Sequence, residues 1–209
     1  MPNTASITLE QLFKFYRGLP HQSASIQQLE KDLAANGYDV AMRRDREWFK
    51  TWSQDGKQSD FTGALKLIRE FEGCRLQAYL CPAGVWTIGY GTTRYNDGRP
   101  VQASDRITPN EADLLLRQEV DRIAAKLSGT VPYWSEMSGN QKSALISFAY
   151  NLGSGFYGAA GFGTITRVLK NRQWKNVPAA MLLYRNPGSH FESGLKRRRI
   201  AEGIVWAEH

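Results

Sequence analysis

Apolar positions recur along this chain with two different periods. Ala64, Leu65, Leu67, Ile68 and Phe71 keep to one face of a 3.6-residue repeat, so an amphipathic helix is expected that ends near Gly73. Two β-like runs follow, Arg75 to Leu80 and residues 85 to 93, around a Pro82-Ala83-Gly84 turn. With Asn96-Asp97-Gly98 as a second turn signal, they predict a small antiparallel hairpin or three-stranded sheet. Everything after it reads helical. Thr108-Pro109-Asn110-Glu111 supplies an N-cap, a proline at the first helical position and a glutamate at the third, opening a helix through Leu127. Ser138-Gly139-Asn140-Gln141 opens the next, with Leu145, Phe148 and Ala149 on one face and Gly153 as its stop. Further helices fit residues 164–171, 174–185 and 194–208. The expected fold is therefore α+β, with a small antiparallel β lobe and a helical bundle lobe.

The first 60 residues read differently. Thr8-Leu9-Glu10-Gln11 has capping-box form, Gly18 and Pro20 interrupt, and Ile26, Leu29 and Leu33 recur at helical spacing. Trp48, Phe49 and Trp52 form a third apolar group before a polar linker at residues 53–59. These signals predict a separate helical module over residues 1–60, joined to a larger domain over residues 61–209.

Composition adds mainly a charge. Of 209 residues 42% are hydrophobic and 22% charged, ordinary globular proportions that exclude a disordered or collagenous chain. The net charge is +7, and residues 167–209 hold nine basic side chains against three acidic ones, six of those seven charges. Such an excess points to a polyanionic partner. Arg197, Arg198 and Arg199 cannot share one helix face, because successive residues point about 100° apart, so they make a poor nucleic-acid patch. Arg167, Lys170, Arg172 and Lys175 are expected in solvent, drawing the protein to an anionic cell envelope. Residues 1–10 lack the basic and apolar regions of an export signal, and no run of about 20 apolar residues could span a bilayer. Cys74 and Cys81 are too few for a disulfide framework, and His21, His190 and His209 are scattered, so neither a metal nor a cofactor is expected.

The densest chemical signal is the stretch from Glu72 to Thr92, in which Glu72, Cys81 and Thr87 precede Ile88-Gly89-Tyr90-Gly91. It resembles the phage lysozyme family, glycoside hydrolase family 24, whose pattern is Glu, eight residues, Asp or occasionally Cys, five residues, Thr, then Ile-Gly-Tyr-Gly. The likeness continues through residues 141–153, similar to that family's central helix, and through Gly194-Leu195, Arg198-Arg199 and Glu202, similar to its closing helix. It covers residues 61–207 and none of the first 60. Two departures stand out: Cys81 where an Asp is usual, and Thr92 where a His is often found.

The resemblance implies an endolysin that hydrolyses the β-1,4 MurNAc-GlcNAc linkage of peptidoglycan with inversion, made in the host cytoplasm and released to the wall by another factor such as a holin. Glycoside cleavage needs an acid for the departing oxygen and a negative or water-positioning group across the sugar. Glu72 is the natural acid, expected beside Phe71 in partly apolar surroundings. Thr87 would hold the attacking water, and Cys81 could assist it as a thiolate. Tyr90 and Asn151 are candidate substrate-binding residues, and Arg198 and Arg199 are expected to orient the site. Some membrane-released relatives are silenced by a cysteine pairing, so a Cys74–Cys81 disulfide is a regulatory candidate. A lytic transglycosylase, or a non-catalytic wall-binding protein on the same scaffold, is the alternative. The expected enzyme is a monomer that binds peptidoglycan and not nucleic acid. Residues 26–38 distantly resemble the first half of a peptidoglycan-binding helical module.

Overall fold

A computed structural model describes residues 61–208. The expected helices, linker and wall-binding module of residues 1–60, and His209, lie outside the described residues. The described chain runs α1 (Thr62–Glu72), β1 (Arg75–Leu80), β2 (Trp86–Gly89), α2 (Pro109–Thr130), α3 (Gly139–Leu152), α4 (Gly163–Lys170), α5 (Val177–Leu182) and α6 (Glu192–Ala207). Single 3-10 turns at Trp134–Glu136 and Trp174–Asn176 precede α3 and α5. The α+β expectation with a small sheet lobe and a helical lobe is borne out.

Local chemistry accounts for most boundaries. Helix α1 buries Ala64, Leu65, Leu67 and Ile68 and stops at Gly73, whose φ of 66° suits glycine. At the start of α2 the Glu111 amide donates to Thr108 Oγ1 while Glu111 Oε2 accepts from the Thr108 amide at 2.7 Å, a reciprocal cap. Ser138 and Gln141 do the same for α3. The expected strand over residues 85–93 is shorter than its β-like sequence, ending at Gly89. Gly89 and Gly91, at φ 63° and 117°, turn the chain back so that Ile88 bridges Thr92. The sheet is thus two-stranded, β1 antiparallel to β2, with an irregular register between Arg75 and Tyr79. The helix expected over residues 174–185 divides into a 3-10 turn and α5, whose second residue is Pro178.

Two cores hold the lobes. Ala78, Ile88 and Val101 form a small one under the sheet, with Tyr95 and Ile107 against it. The large one is built around α3, where Ser143, Ala144, Leu145, Ile146, Ser147, Phe148 and Ala149 are all buried. Packed by α1, α2 and α6, α3 has no solvent face of its own, and the one-sided stripe expected for it is a buried helix instead. Helix α2, 22 residues and about 33 Å long, runs from the sheet lobe into the bundle. Arg69 of α1 donates to Asp113 of α2 at 3.0 Å.

The bundle also buries charge. Arg199 and Glu202 are fully buried and Arg198 is 3% exposed, while Arg197 is exposed on the same helix, as the 100° spacing requires. Glu202 Oε1 accepts from Arg198 Nε at 3.2 Å, and its Oε2 lies 3.2 Å from Arg199 Nε without hydrogen-bond alignment. Replacing Glu202 by Ala would leave two buried guanidinium groups without their shared counter-ion. We expect the loss of about 3 to 5 kcal/mol in urea unfolding, against under about 1 kcal/mol if the pairings were incidental.

Candidate active site

The end of α1, the β1–β2 hairpin, α3 and α6 converge on Glu72. Its side chain is 26% exposed, and its Oε1 accepts from Arg198 Nη1 at 2.5 Å. Arg198 is held from behind: its Nη2 donates to the Ser147 carbonyl at 3.1 Å and its Nε to Glu202, which also accepts from the Ser147 hydroxyl at 2.7 Å. The guanidinium carbon lies 5.8 Å from the centre of the Phe71 ring. Glu72 thus projects from a capped helix end with its orientation fixed by a buried cation. Only part of the expected apolar setting is present. Phe71 adjoins, but a charged partner rather than hydrocarbon meets the carboxyl group.

Cys81 and Thr87 lie together at the hairpin end. The chain after Cys81 curls tightly, with Cys81 N donating to Val85 O at 3.0 Å and Gly84 N to Cys81 O at 2.8 Å. That curl aims backbone amides at the sulfur. The Val85 N–H, with smaller help from Ala83, holds the thiol below its ordinary value against desolvation. Thr87 is 4% exposed, and its hydroxyl donates to Val85 O at 3.0 Å, leaving the oxygen's lone pairs to accept a proton. The pair can carry negative charge and orient a water. A carboxyl group held by Arg198 and a thiol beside the Thr87 hydroxyl are thus the ionisable groups this end of the sheet lobe presents.

The remaining candidates are placed less simply. Tyr90 is half-buried against the large core, its carbonyl accepts from the Tyr150 hydroxyl at 2.8 Å, and its phenol, raised by burial and by adjacent Cys74, lies beside that thiol. Its role in the geometry is as a support of the cleft floor. Asn151 Oδ1 accepts from Arg199 Nη2 at 2.8 Å and so faces the buried charge cluster, and Arg199 stacks 4.8 Å from the Phe148 ring centre. Arg198 touches Glu72 directly, whereas Arg199 reaches it only through Glu202.

A Cys74–Cys81 disulfide meets a geometric obstacle. Both cysteines are free, and they flank β1, whose six residues separate them by about 20 Å when extended. A disulfide requires Cα atoms within about 7 Å, so pairing would require unravelling the strand that positions the site. Tyr150 and Ser147 were not anticipated from sequence. Tyr150 joins α3 to the sheet lobe, with burial and then the charges of Glu72 and Glu119 pushing its phenol up. Among the described residues no cluster of His, Cys, Asp and Glu is arranged to hold a metal ion.

Known proteins share this arrangement of chain and fold. The pattern of the phage lysozyme family matches residues 69–202. The endolysin of Salmonella phage P22 is 31% identical over 142 residues, covering 68% of this chain and 93% of that protein. The endolysin of Acyrthosiphon pisum secondary endosymbiont phage 1 is 36% identical over 89 residues, covering 43% of this chain and 56% of the relative, little more than half its length. Among solved structures, the endolysin from Escherichia coli O157:H7 phage FAHEc1 superposes with a TM-score of 0.60 and 28% identity over 73% of this chain and 94% of that one.

The Cys81 environment makes a direct prediction. In a Cys74→Ser background, the rate of iodoacetamide alkylation should rise with pH through a midpoint below the 9.0 of an ordinary thiol. A midpoint at or above 9.0 would contradict the hydrogen bonding described.

Proposed function

The chain belongs to the phage lysozyme family, and on that premise we propose that the protein is an endolysin hydrolysing the β-1,4 MurNAc-GlcNAc linkage of peptidoglycan with inversion. The reading is carried by one observation: a glutamate at a helix end, gripped by the buried Arg198, followed by a hairpin presenting a thiol held below its ordinary value and a threonine oxygen.

In this mechanism Glu72 protonates the departing glycosidic oxygen. As the bond breaks, positive charge grows on the anomeric carbon and ring oxygen, and a nearby anion lowers the energy of that state. Cys81 supplies the anion. Its thiolate takes one proton from a water on the opposite face of the sugar, whose other O–H donates a hydrogen bond to the Thr87 oxygen, and that water attacks and inverts the centre. Arg198 keeps Glu72 on the leaving-group side and recovers its ion pair when the proton has gone. A sulfur anion in place of a carboxylate ties the active form to the reduced, deprotonated thiol.

We further propose that residues 1–60 form a module distinct from the catalytic residues 61–209, a division supported by the family match beginning at residue 69. The protein acts as a monomer, without nucleic acid, on an anionic envelope that attracts the exposed Arg167, Lys170, Lys175 and Arg197. Arg172, expected among those free charges, pairs with Glu136 instead. No described helix is long and apolar enough to cross a membrane, and the reading has the protein made in the host cytoplasm and passed to the wall by a holin-like factor.

Two variants test the assignment in a turbidity assay on outer-membrane-permeabilised cells. Glu72→Gln should lower lysis by at least about a hundredfold, the low end for loss of a general acid. Cys81→Asp should retain activity, lose sensitivity to thiol oxidants, and extend it to lower pH. The sign follows from the proton inventory: activity rises as the residue at position 81 deprotonates, and an aspartate does so near 3.9, against about 8.5 for an ordinary thiol. Unchanged lysis by Glu72→Gln would remove the catalytic assignment.

A further inference from the structure

A cavity of 440 Å3 lies outside the residues that the mechanism uses. It opens between the loop after β2 and the middle of α2, and is lined by Thr93, Arg94, Asn96, Glu119, Arg122 and Tyr150 among others. Its lining includes Tyr150, whose hydroxyl bonds the carbonyl of Tyr90 just after β2, and Gly91, where an added Cβ would lie 3.6 Å from that hydroxyl.

The loop wall is stiff. Arg94 and Pro100 bridge, Tyr95 N donates to Arg99 O at 2.9 Å, and the Asn96-Asp97-Gly98 turn is closed by Gly98 N donating to Tyr95 O. Tyr95 and Arg99 are both tied to Asp105, at 3.0 and 3.1 Å. The backbone from which the Thr93, Arg94 and Asn96 side chains project is therefore set before any ligand arrives.

Its charges do not balance. Both Glu119 oxygens accept from Arg122 at 2.7 to 2.9 Å, so the acid is compensated within the cavity. Arg94 makes one hydrogen bond, from Nη1 to Gly98 O at 3.0 Å, and has no acidic partner among the described residues. The side chains of Thr93 and Asn96 make no hydrogen bond among the described residues either. Hydroxyl and amide groups between tyrosine rings suit a saccharide, and a planar guanidinium with unspent donors suits a carboxylate.

We propose that this cavity is a carboxylate-reading extension of the glycan cleft, in which Arg94 receives a free carboxylate of a peptide-substituted sugar while Thr93 and Asn96 bond its neutral groups. Arg122 neutralises Glu119, which would otherwise repel the same ligand. The proposal rests on the hydrolytic reading above and adds to it the acidic substituent as a specificity determinant, remote from the scissile bond.

The test uses one purified peptidoglycan in two forms, native and with its carboxyl groups converted to amides by carbodiimide and ammonia. The full-length wild type should favour the native form by about tenfold in kcat/KM at low salt, the scale of one charge-assisted hydrogen bond. That preference should fade as ionic strength rises. Arg94→Gln should bring the ratio close to one, through KM. Arg122→Gln, on a side chain 77% exposed, should lower the ratio further by freeing the Glu119 charge. A ratio unchanged in both variants, an equal loss on both substrates, or a wild type that digests both forms equally would overturn the proposal. Failure of the wild type to digest either form would instead overturn the hydrolytic reading.

Discussion

The contact on which the rest of the site depends is the buried guanidinium of Arg198. It lies where α1 ends against α3 and α6, and touches Glu72, Glu202 and the Ser147 carbonyl at once. Burying such a cation is costly unless its charge and its donors are matched. Glu202 balances part of the charge, the α3 backbone takes one donor, and Glu72 takes the remaining direction. Arg198, Arg199, Glu202 and Glu72 together sum to zero. The cluster therefore fixes the position of the Glu72 carboxyl group from the side away from the hairpin.

The sheet lobe supplies the opposing half of the site by different physics. Its own core is three buried residues, too small to hold a hairpin alone, so α2 and the Tyr150–Tyr90 bond fasten it to the bundle. The curl after Cys81 then converts backbone amides into an environment for a thiolate. Rigidity in the bundle and a small, tethered hairpin give a cleft whose two walls are fixed independently, with the cavity at Arg94 as its extension.

What could be read from sequence was what is local. Thr108 to Glu111 and Ser138 to Gln141 announce their helices because each cap closes within four residues, and Gly73 stops α1 for a reason intrinsic to glycine. The spacing of Glu72, Cys81 and Thr87 was legible because it is set by one short strand and its turn. The same strand defeats the cysteine pairing, since seven residues in sequence become a long separation once extended. Residues whose meaning comes from distant partners were hidden. Ser147 looks like any helix serine until α6 packs on it, Asn151 looks available until Arg199 takes it, and α3 loses its stripe because three helices bury it on every side. The short second strand reflects a conflict of signals, with β-forming side chains over residues 85–93 overruled by two glycines whose backbone must turn.

The central claim is that water, activated across the sugar from Glu72, cleaves the glycan. Digestion of purified peptidoglycan in 18O-labelled water, followed by mass spectrometry of the released muropeptides, tests it most directly. The account predicts one heavy oxygen at each newly formed reducing end. Unlabelled products ending in 1,6-anhydro-muramic acid would contradict it.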